Sequence, residues 1–451
     1  MTPEPFGRTS IVRLGLVQTA LGAIVVLMIS TINRVMVVEL ALPASIPGLL
    51  VGAHYGVQIL RPAWGYGSDI GGRRTPWIIG GMAALALGAV GAACGTALAA
   101  ASKPLGIALA AISFLLVGVG VGAAGTSVLA MLATRVTPAG RAAAASAVWM
   151  MMILGFALSA PLAGHFLDPF SQERLIAVTA TVSVTAFLVA VLAVWGVEGC
   201  AAAPPAQRTA APGKPGFTAA LRDQWNDPAA RGFTIFIFVS MLALSAQELL
   251  VEPFAGLVFG MTPGVTTKLA GLQHGGMLTG MLGVAVAASS VTRWPIFGSL
   301  RLWAAGGCAA SGLSLAGIAA SGFLSADPRV FVAAVFALGV SNGAFAVASI
   351  GSMMGLAGAG ARAASREGTR MGLWGAAQAL AFGLGGVFAT LLVDSARGLS
   401  APLLVAYSIA FAVAATLFLV AAVLGSAVVR GHSSEAGSPI LTPSGAISTR
   451  P

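Results

Sequence analysis

Charge is scarce in this chain. Only 8% of its 451 residues are Asp, Glu, Lys or Arg, against about 25% in soluble globular domains. That excludes an ordinary water-soluble fold. Cysteine is sparser still. Cys94, Cys200 and Cys308 are scattered and form no C-x-x-C pair, so neither a disulfide framework nor a zinc site is supported, and no metal site of the chain's own is expected. No small-residue cleavage site separates the first apolar segment from the next, so no cleavable signal peptide is expected.

What is present in abundance is apolar sequence. Hydrophobic residues make up 57% of the chain, and runs of roughly 20 of them recur, each long enough to cross a bilayer as a helix. Twelve spans are predicted, at 14–32, 45–66, 77–99, 105–132, 143–165, 175–197, 233–251, 269–291, 302–323, 330–354, 371–392 and 401–429. An even number places both termini on one side. The net charge of +10 then reads as the positive-inside rule and not as a nucleic-acid surface. Of the 24 Lys and Arg, seventeen fall on the side of the termini and six on the other, while the 14 acids divide equally. Both termini are expected in the cytoplasm of a bacterium, with the chain a multi-pass protein of its inner membrane and the lipid bilayer its first partner.

The chain also reads as a duplication. Arg141 precedes Trp149 by eight residues, as Arg366 precedes Trp374, and Asp168 and Asp394 follow those tryptophans at nearly equal distance. Val38-Glu39 and Val251-Glu252 close the first and seventh spans, and His54 and His274 lie in the second and eighth. The expected organisation is an N-terminal six-helix half (1–197), a polar Ala/Pro-rich cytoplasmic linker (198–231), a C-terminal six-helix half (232–429) and a disordered cytoplasmic tail (430–451).

One loop carries a scaffold signature. Gly65, Asp69, Gly72, Arg73 and Arg74 form G-x-x-x-D-x-x-G-R-R between the second and third spans. This is similar to the loop that follows the second helix in transporters of the major facilitator superfamily. Glycines allow close helix approach, and the two arginines hold the turn on the cytoplasmic side. The counterpart around Arg293 keeps a base and no acid. The resemblance implies an all-α membrane protein, a facilitator-type bundle of twelve helices in two halves.

Ionisable groups inside membrane spans are functional candidates because burying them is costly. The candidates are Arg61 and Glu248, with Arg34, Glu39 and Glu252 at span boundaries. The first and fourth spans hold no midplane acid, which argues against strong ion coupling and for an apolar cavity. Glu248 and Glu252 are four apart and expected on one helix face. With Asn33, Gln247, Gln378, Trp149 and Trp374, these residues are read either as a polar gate at the mouth between the halves or as interface residues that snorkel to water. Trp64, Trp77, Trp149, Trp294, Trp303 and Trp374 read as interfacial anchors.

Several stretches go beyond a generic facilitator. Asn33-Arg34-Val35-Met36-Val37-Val38-Glu39-Leu40, Arg61-Pro62-Ala63-Trp64, Gln247-Glu248-Leu249-Leu250-Val251-Glu252-Pro253-Phe254 and Gly372-Leu373-Trp374-Gly375-Ala376-Ala377-Gln378 resemble the bacteriochlorophyll delivery (PucC/LhaA-like) family of phototrophic bacteria. The resemblance covers both halves. It implies bacteriochlorophyll or a late precursor as bound cargo, a photosynthetic membrane, and pigment synthase and antenna or reaction-centre polypeptides as partners. His54 and His274 are then candidate axial ligands for a magnesium tetrapyrrole, or else helix-packing histidines. Two alternatives stay open: a secondary transporter of a small amphipathic solute, and an accessory subunit of bacteriochlorophyll synthase. An esterifying enzyme is not expected. It would need two Asp-rich motifs to hold Mg²⁺-diphosphate, and Asp223-x-x-x-Asp227 occurs once, in the linker.

Overall fold

The structure is a computed structural model that describes residues 6–61, 64, 73–137, 140–198, 222, 225–289, 299–324, 327–357 and 363–435. Gly65, Asp69 and Gly72 of the signature loop, Asp223, Arg293, most of the linker and residues 436–451 lie outside these. Among the described residues, eleven helices are long and apolar enough to span a membrane. The helices are α1 (Arg8–Glu39), α2 (Ser45–Val57), α3 (Thr75–Ala101), α4 (Lys103–Arg135), α5 (Arg141–Phe166), α6 (Gln172–Val194), α7 (Pro228–Glu248), α8 (Pro263–Ser289), α9 (Leu300–Leu324), α10 (Pro328–Ala357), α11 (Ala363–Gly398) and α12 (Leu403–Glu435). The twelfth span is α2, described as far as Arg61. The last helix runs beyond its expected end at residue 429, so residues 430–435 of the expected tail are helical.

The helices α1 and α7 depart from regular α geometry at matching places. In α1 the backbone widens into π turns at Leu27–Ile32 and Val35–Glu39. After Glu248, α7 breaks for two residues and resumes as a short helix, Val251–Phe259, closed by Gly260 at φ 63°. Irregular backbone at membrane depth survives only where its polar groups find partners. Here Asn33 of α1 donates to the Leu249 carbonyl at 2.9 Å, so one irregular helix repairs the other.

Packing repeats itself across the chain. In the first half α1 packs on α5 and α6, α3 on α4 and α6, and α2 on α4. In the second, α7 packs on α11 and α12, α9 on α10 and α12, and α8 on α10. The halves meet through two equivalent pairs, α5 with α8 and α2 with α11. Small residues make these contacts possible. A Cβ on Gly95 of α3 would sit 2.7 Å from the Ala110 nitrogen of α4, and one on Gly343 of α10 would strike the Met277 carbonyl of α8. With helices that alternate in direction, α1 starts and α12 ends on one side of the bundle, here called the terminus face; the other is the distal face.

Candidate functional site

Between the halves lies a cavity of about 300 Å³. Its walls are largely apolar, from Leu21, Val25, Val121, Met152, Phe156 and Phe382, and they carry a few polar groups: Gln18, His54, Gln58, Arg61, Glu248, His274 and Gln378. This is the usual composition of a ligand pocket. The two sequence-matched histidines therefore open onto one space. His54 is nine residues into α2 and His274 eleven into α8. Both helices start at the distal face, so at 1.5 Å per residue both rings lie at about mid-depth.

The histidines are not equivalent. Along α2, His54, Gln58 and Arg61 fall at i, i+4 and i+7. The α-helix ends at Val57 and a 3₁₀ turn follows, Gln58–Leu60, where the sequence reading expected a regular span. Pro62 lacks the N–H needed to continue the α ladder. In a 3₁₀ turn residues three apart eclipse, which brings Arg61 over Gln58. Arg61 donates to Gln58 Oε1. An arginine has no acceptor, so the Gln58 amide is fixed with its NH₂ toward His54, 3.0 Å from Nε2. That nitrogen must accept, and the ring proton is on Nδ1, which is buried without a partner.

His274 is arranged the other way. Its Nδ1 lies 2.8 Å from the Ala270 carbonyl, which can only accept, so Nδ1 carries the proton. In the neutral ring Nε2 holds the lone pair, and it makes no hydrogen bond among the described residues. Phe156 meets the ring edge-on at 4.8 Å and 87°.

Toward the distal face the halves are held shut by polar contacts. Asp394 of α11 receives the first N–H groups of α2: Ala44 N to Oδ1 at 3.0 Å and Ser45 N to Oδ2 at 2.7 Å. Asp168, its counterpart after α5, lies against Gly264 at the start of α8, where a Cβ would strike its carboxylate. Thr31 and Thr267 share a hydrogen bond of 2.9 Å. The Arg34 side chain is 2% exposed; it pairs with Glu39 and donates to the Met261 carbonyl at 2.6 Å. Within the second half Gln273 donates to Gln247 Oε1 at 2.9 Å, and Glu252 is buried with one carboxylate oxygen unpartnered among the described residues.

At the terminus face, Glu198 caps α3. The helix carries no side-chain cap of its own and has proline at its second position. Glu198 takes the N–H of Arg74 at 2.7 Å, the N–H of Thr75 at 3.0 Å and the Thr75 hydroxyl at 2.8 Å. Arg74 in turn donates to the Ala130 carbonyl and to Thr134 Oγ1, each at 2.6 Å, tying α3 to α4. Burial works to raise the Glu198 pKa, but these three hydrogen bonds and the charge of Arg73 outweigh it and hold the carboxyl below its ordinary range.

The residues grouped in the sequence as one polar gate thus divide. Asn33, Arg34, Glu39 and Glu252 gather at the distal contact between halves, while Gln247 bonds to Gln273 within the second half. Arg61, Glu248, Trp149 and Gln378 line the cavity instead. Glu248 and Glu252 do not share a face, because the break in α7 falls between them. Two tryptophans read as anchors point into the bundle. Trp149 faces the cavity, and Trp374, three turns into α11, is 1% exposed in the second-half core against Phe233. Gln58, Gln18, Tyr55, Phe156 and Glu198 were not picked out by sequence. The H-x₃-Q-x₂-R spacing was the available signal for Gln58.

Two six-helix halves around a central cavity, closed at one end by polar contacts, define a transporter-type membrane bundle. Solved structures agree on the fold. A bacterial homologue of the human lysosomal transporter Spinster, crystallised inward-facing and unoccupied, matches with a TM-score of 0.67 at 17% identity over 95% of this chain and 98% of that one. The nucleoside transporter NupG matches with a TM-score of 0.63 at 11% identity, covering 93% and 99%. The chain therefore shares the fold of these two proteins. The chain belongs to the PUCC family, whose description, PUCC protein, matches residues 31–433. It is 50% identical to the protein named bacteriochlorophyll synthase 44.5 kDa chain of Rhodobacter capsulatus, over 95% of this chain and 97% of the relative. It is 32% identical to Protein PucC of Rhodovulum sulfidophilum, over 85% and 86%.

Proposed function

We propose that this protein holds bacteriochlorophyll, or a late precursor of it, in the cavity between its halves and passes it to polypeptides of the antenna or reaction centre in a bacterial photosynthetic membrane. The observation that carries the reading is the cavity itself: apolar walls with two imidazoles at mid-depth, in a chain whose relatives bear bacteriochlorophyll and PucC names. Apolar walls suit a macrocycle with a long isoprenoid tail. At about 300 Å³ the cavity lies at the low end of ligand-pocket volumes. A whole tetrapyrrole requires the halves to part further, a rocking motion that this type of bundle permits.

The test is direct. The protein, purified in mild detergent from a phototrophic host, should carry a bacteriochlorophyll-type absorption spectrum, and its deletion should lower antenna or reaction-centre levels. A colourless protein together with normal complexes in the deletion strain would overturn the proposal. One observation favours a second reading. Arg61 and Glu248, a base and an acid, line the same cavity, as suits a transporter of a small amphipathic solute. That reading predicts flux in proteoliposomes driven by a pH gradient, with no pigment required. A role beside the pigment synthase, suggested by the name of the Rhodobacter capsulatus relative, predicts faster esterification of the pigment acid by the synthase when this protein is added.

A further inference from the structure

We propose that His274 alone ligates the central metal of a bound metallotetrapyrrole, that His54 is a hydrogen-bond donor barred from ligation, and that the cavity thereby selects metallated over metal-free pigment. This rests on the pigment-handling reading above and makes a claim of its own about selectivity.

The argument is one of proton placement. A metal-binding imidazole must present a lone pair, and its other nitrogen is ordinarily tied to a carbonyl or carboxylate that fixes tautomer and ring orientation. His274 has that arrangement. Nδ1 donates along its own helix to the Ala270 carbonyl at 2.8 Å, Phe156 braces the ring edge-on, and Nε2 carries no partner on the wall of the cavity. His54 has the reverse. The chain from Arg61 through Gln58 occupies its lone pair at Nε2, leaving Nδ1–H as a buried donor with no acceptor. An unpartnered buried donor is costly, and a ligand carbonyl reaching Nδ1 would relieve that cost. Two histidines at similar depth in the second and eighth helices thus perform opposite tasks. The difference traces to α2 having Gln58 and Arg61 below its histidine. The corresponding positions below His274, Leu278 and Met281, have no amide or guanidinium.

The experiment compares bacteriochlorophyll a with its metal-free counterpart, bacteriopheophytin a, added to the purified full-length protein in nanodiscs. Affinity is read by quenching of tryptophan fluorescence, since Trp149 lines the cavity. Axial ligation is read from the Qx absorption band, which responds to the number of ligands on the metal. The unmodified protein should bind the metallated pigment at least about tenfold more tightly, in line with the usual weight of a metal ligand's immediate surroundings. His274→Leu should remove both the ligation band shift and the preference, while His54→Leu should keep both. Should His274→Leu misfold, His274→Gly supplied with free imidazole serves instead, and imidazole should restore the band shift.

Equal binding of both pigments by the unmodified protein, or ligation that survives loss of His274 and not of His54, overturns the proposal while leaving pigment handling intact. Binding of neither pigment overturns both.

Discussion

Removing the Asp394 carboxylate should open the distal face of the bundle. In the structure each oxygen of Asp394 accepts one of the first N–H groups of α2 across the boundary between halves, at 3.0 and 2.7 Å. Hydrogen bonds to an ionised group contribute about 1.5–3 kcal/mol each, and an anion at a helix N-terminus adds a few tenths to 1 kcal/mol. Water replaces part of this when the carboxylate is lost, yet Ala44 is only 4% exposed, so its amide rehydrates poorly. A net loss of about 2–4 kcal/mol follows for Asp394→Ala. At about 1.4 kcal/mol per tenfold, that moves the closed-to-open equilibrium by roughly 30- to 1,000-fold.

The measurement is a spin-label distance between Lys103→Cys and Arg329→Cys, one exposed site at the distal end of each half, with Cys94, Cys200 and Cys308 replaced by Ala. Asp394→Ala should add a population at longer distance. Asp394→Asn, which keeps one acceptor, should add a smaller one. An unchanged distance distribution in Asp394→Ala alongside a lowered melting temperature would refute the reasoning. The carboxylate would then merely cap α2, and other contacts would hold the face shut.

Three further outcomes are expected. Asn33→Leu leaves the Leu249 carbonyl in the α7 break without its donor and should cost about 1–3 kcal/mol, read as a lower melting temperature in detergent; an unchanged melting temperature would mean that the break satisfies itself. Because the Glu198 pKa is depressed in the folded protein, the stability it supplies is complete above the ordinary glutamate pKa of about 4.3 and fades as pH falls through the lower folded value. Melting curves should therefore show an acid-side loss that Glu198→Gln lacks, with Glu198→Gln about 1 kcal/mol less stable at neutral pH, as for a lost helix cap. Gly80→Ala and Gly95→Ala should differ in sign. Both gain helix propensity of up to about 1 kcal/mol, but a Cβ at Gly80 meets nothing within 4 Å while one at Gly95 collides with the α4 backbone. A shared sign would count against the α3–α4 packing.

Much of the architecture was legible because it is written in long-range composition. Apolar runs of span length locate the helices, and the offsets from Trp149 to Asp168 and from Trp374 to Asp394 locate the repeat. What those offsets mean was not legible. Asp168 and Asp394 act on the starts of α8 and α2 in the opposite half, and no sequence period reports a contact between helices 350 residues apart in the chain. The gate residues failed to sort for a local reason. Glu248 and Glu252 share a face only on a continuous helix, and Leu249–Leu250, ordinary helix formers, give no sign of the break that Asn33 makes tolerable. The tryptophans did not sort because hydropathy gives position along a span and not direction, so it could not report that Trp149 lines the cavity and Trp374 packs on Phe233.

The duplication and the cavity point in different directions, and the difference has a physical basis. Contacts that hold the halves together, the aspartates over helix starts and the glycines between helices, act on backbone. Backbone is the same in both halves, so these contacts keep the twofold relation. Under the proposed function the cavity would fit a single ligand with no twofold symmetry, and an asymmetric ligand is served better by one acceptor and one donor than by two of either. Three local differences break the symmetry where the ligand would lie. The first is a 3₁₀ turn imposed ahead of Pro62, and the second is a glutamine clamped by Arg61. The third is Glu248, an acid that lines the cavity at the break in α7. A symmetric scaffold with an asymmetric lining can rock as two equivalent bodies and still hold one molecule in one orientation, as the proposed function would require.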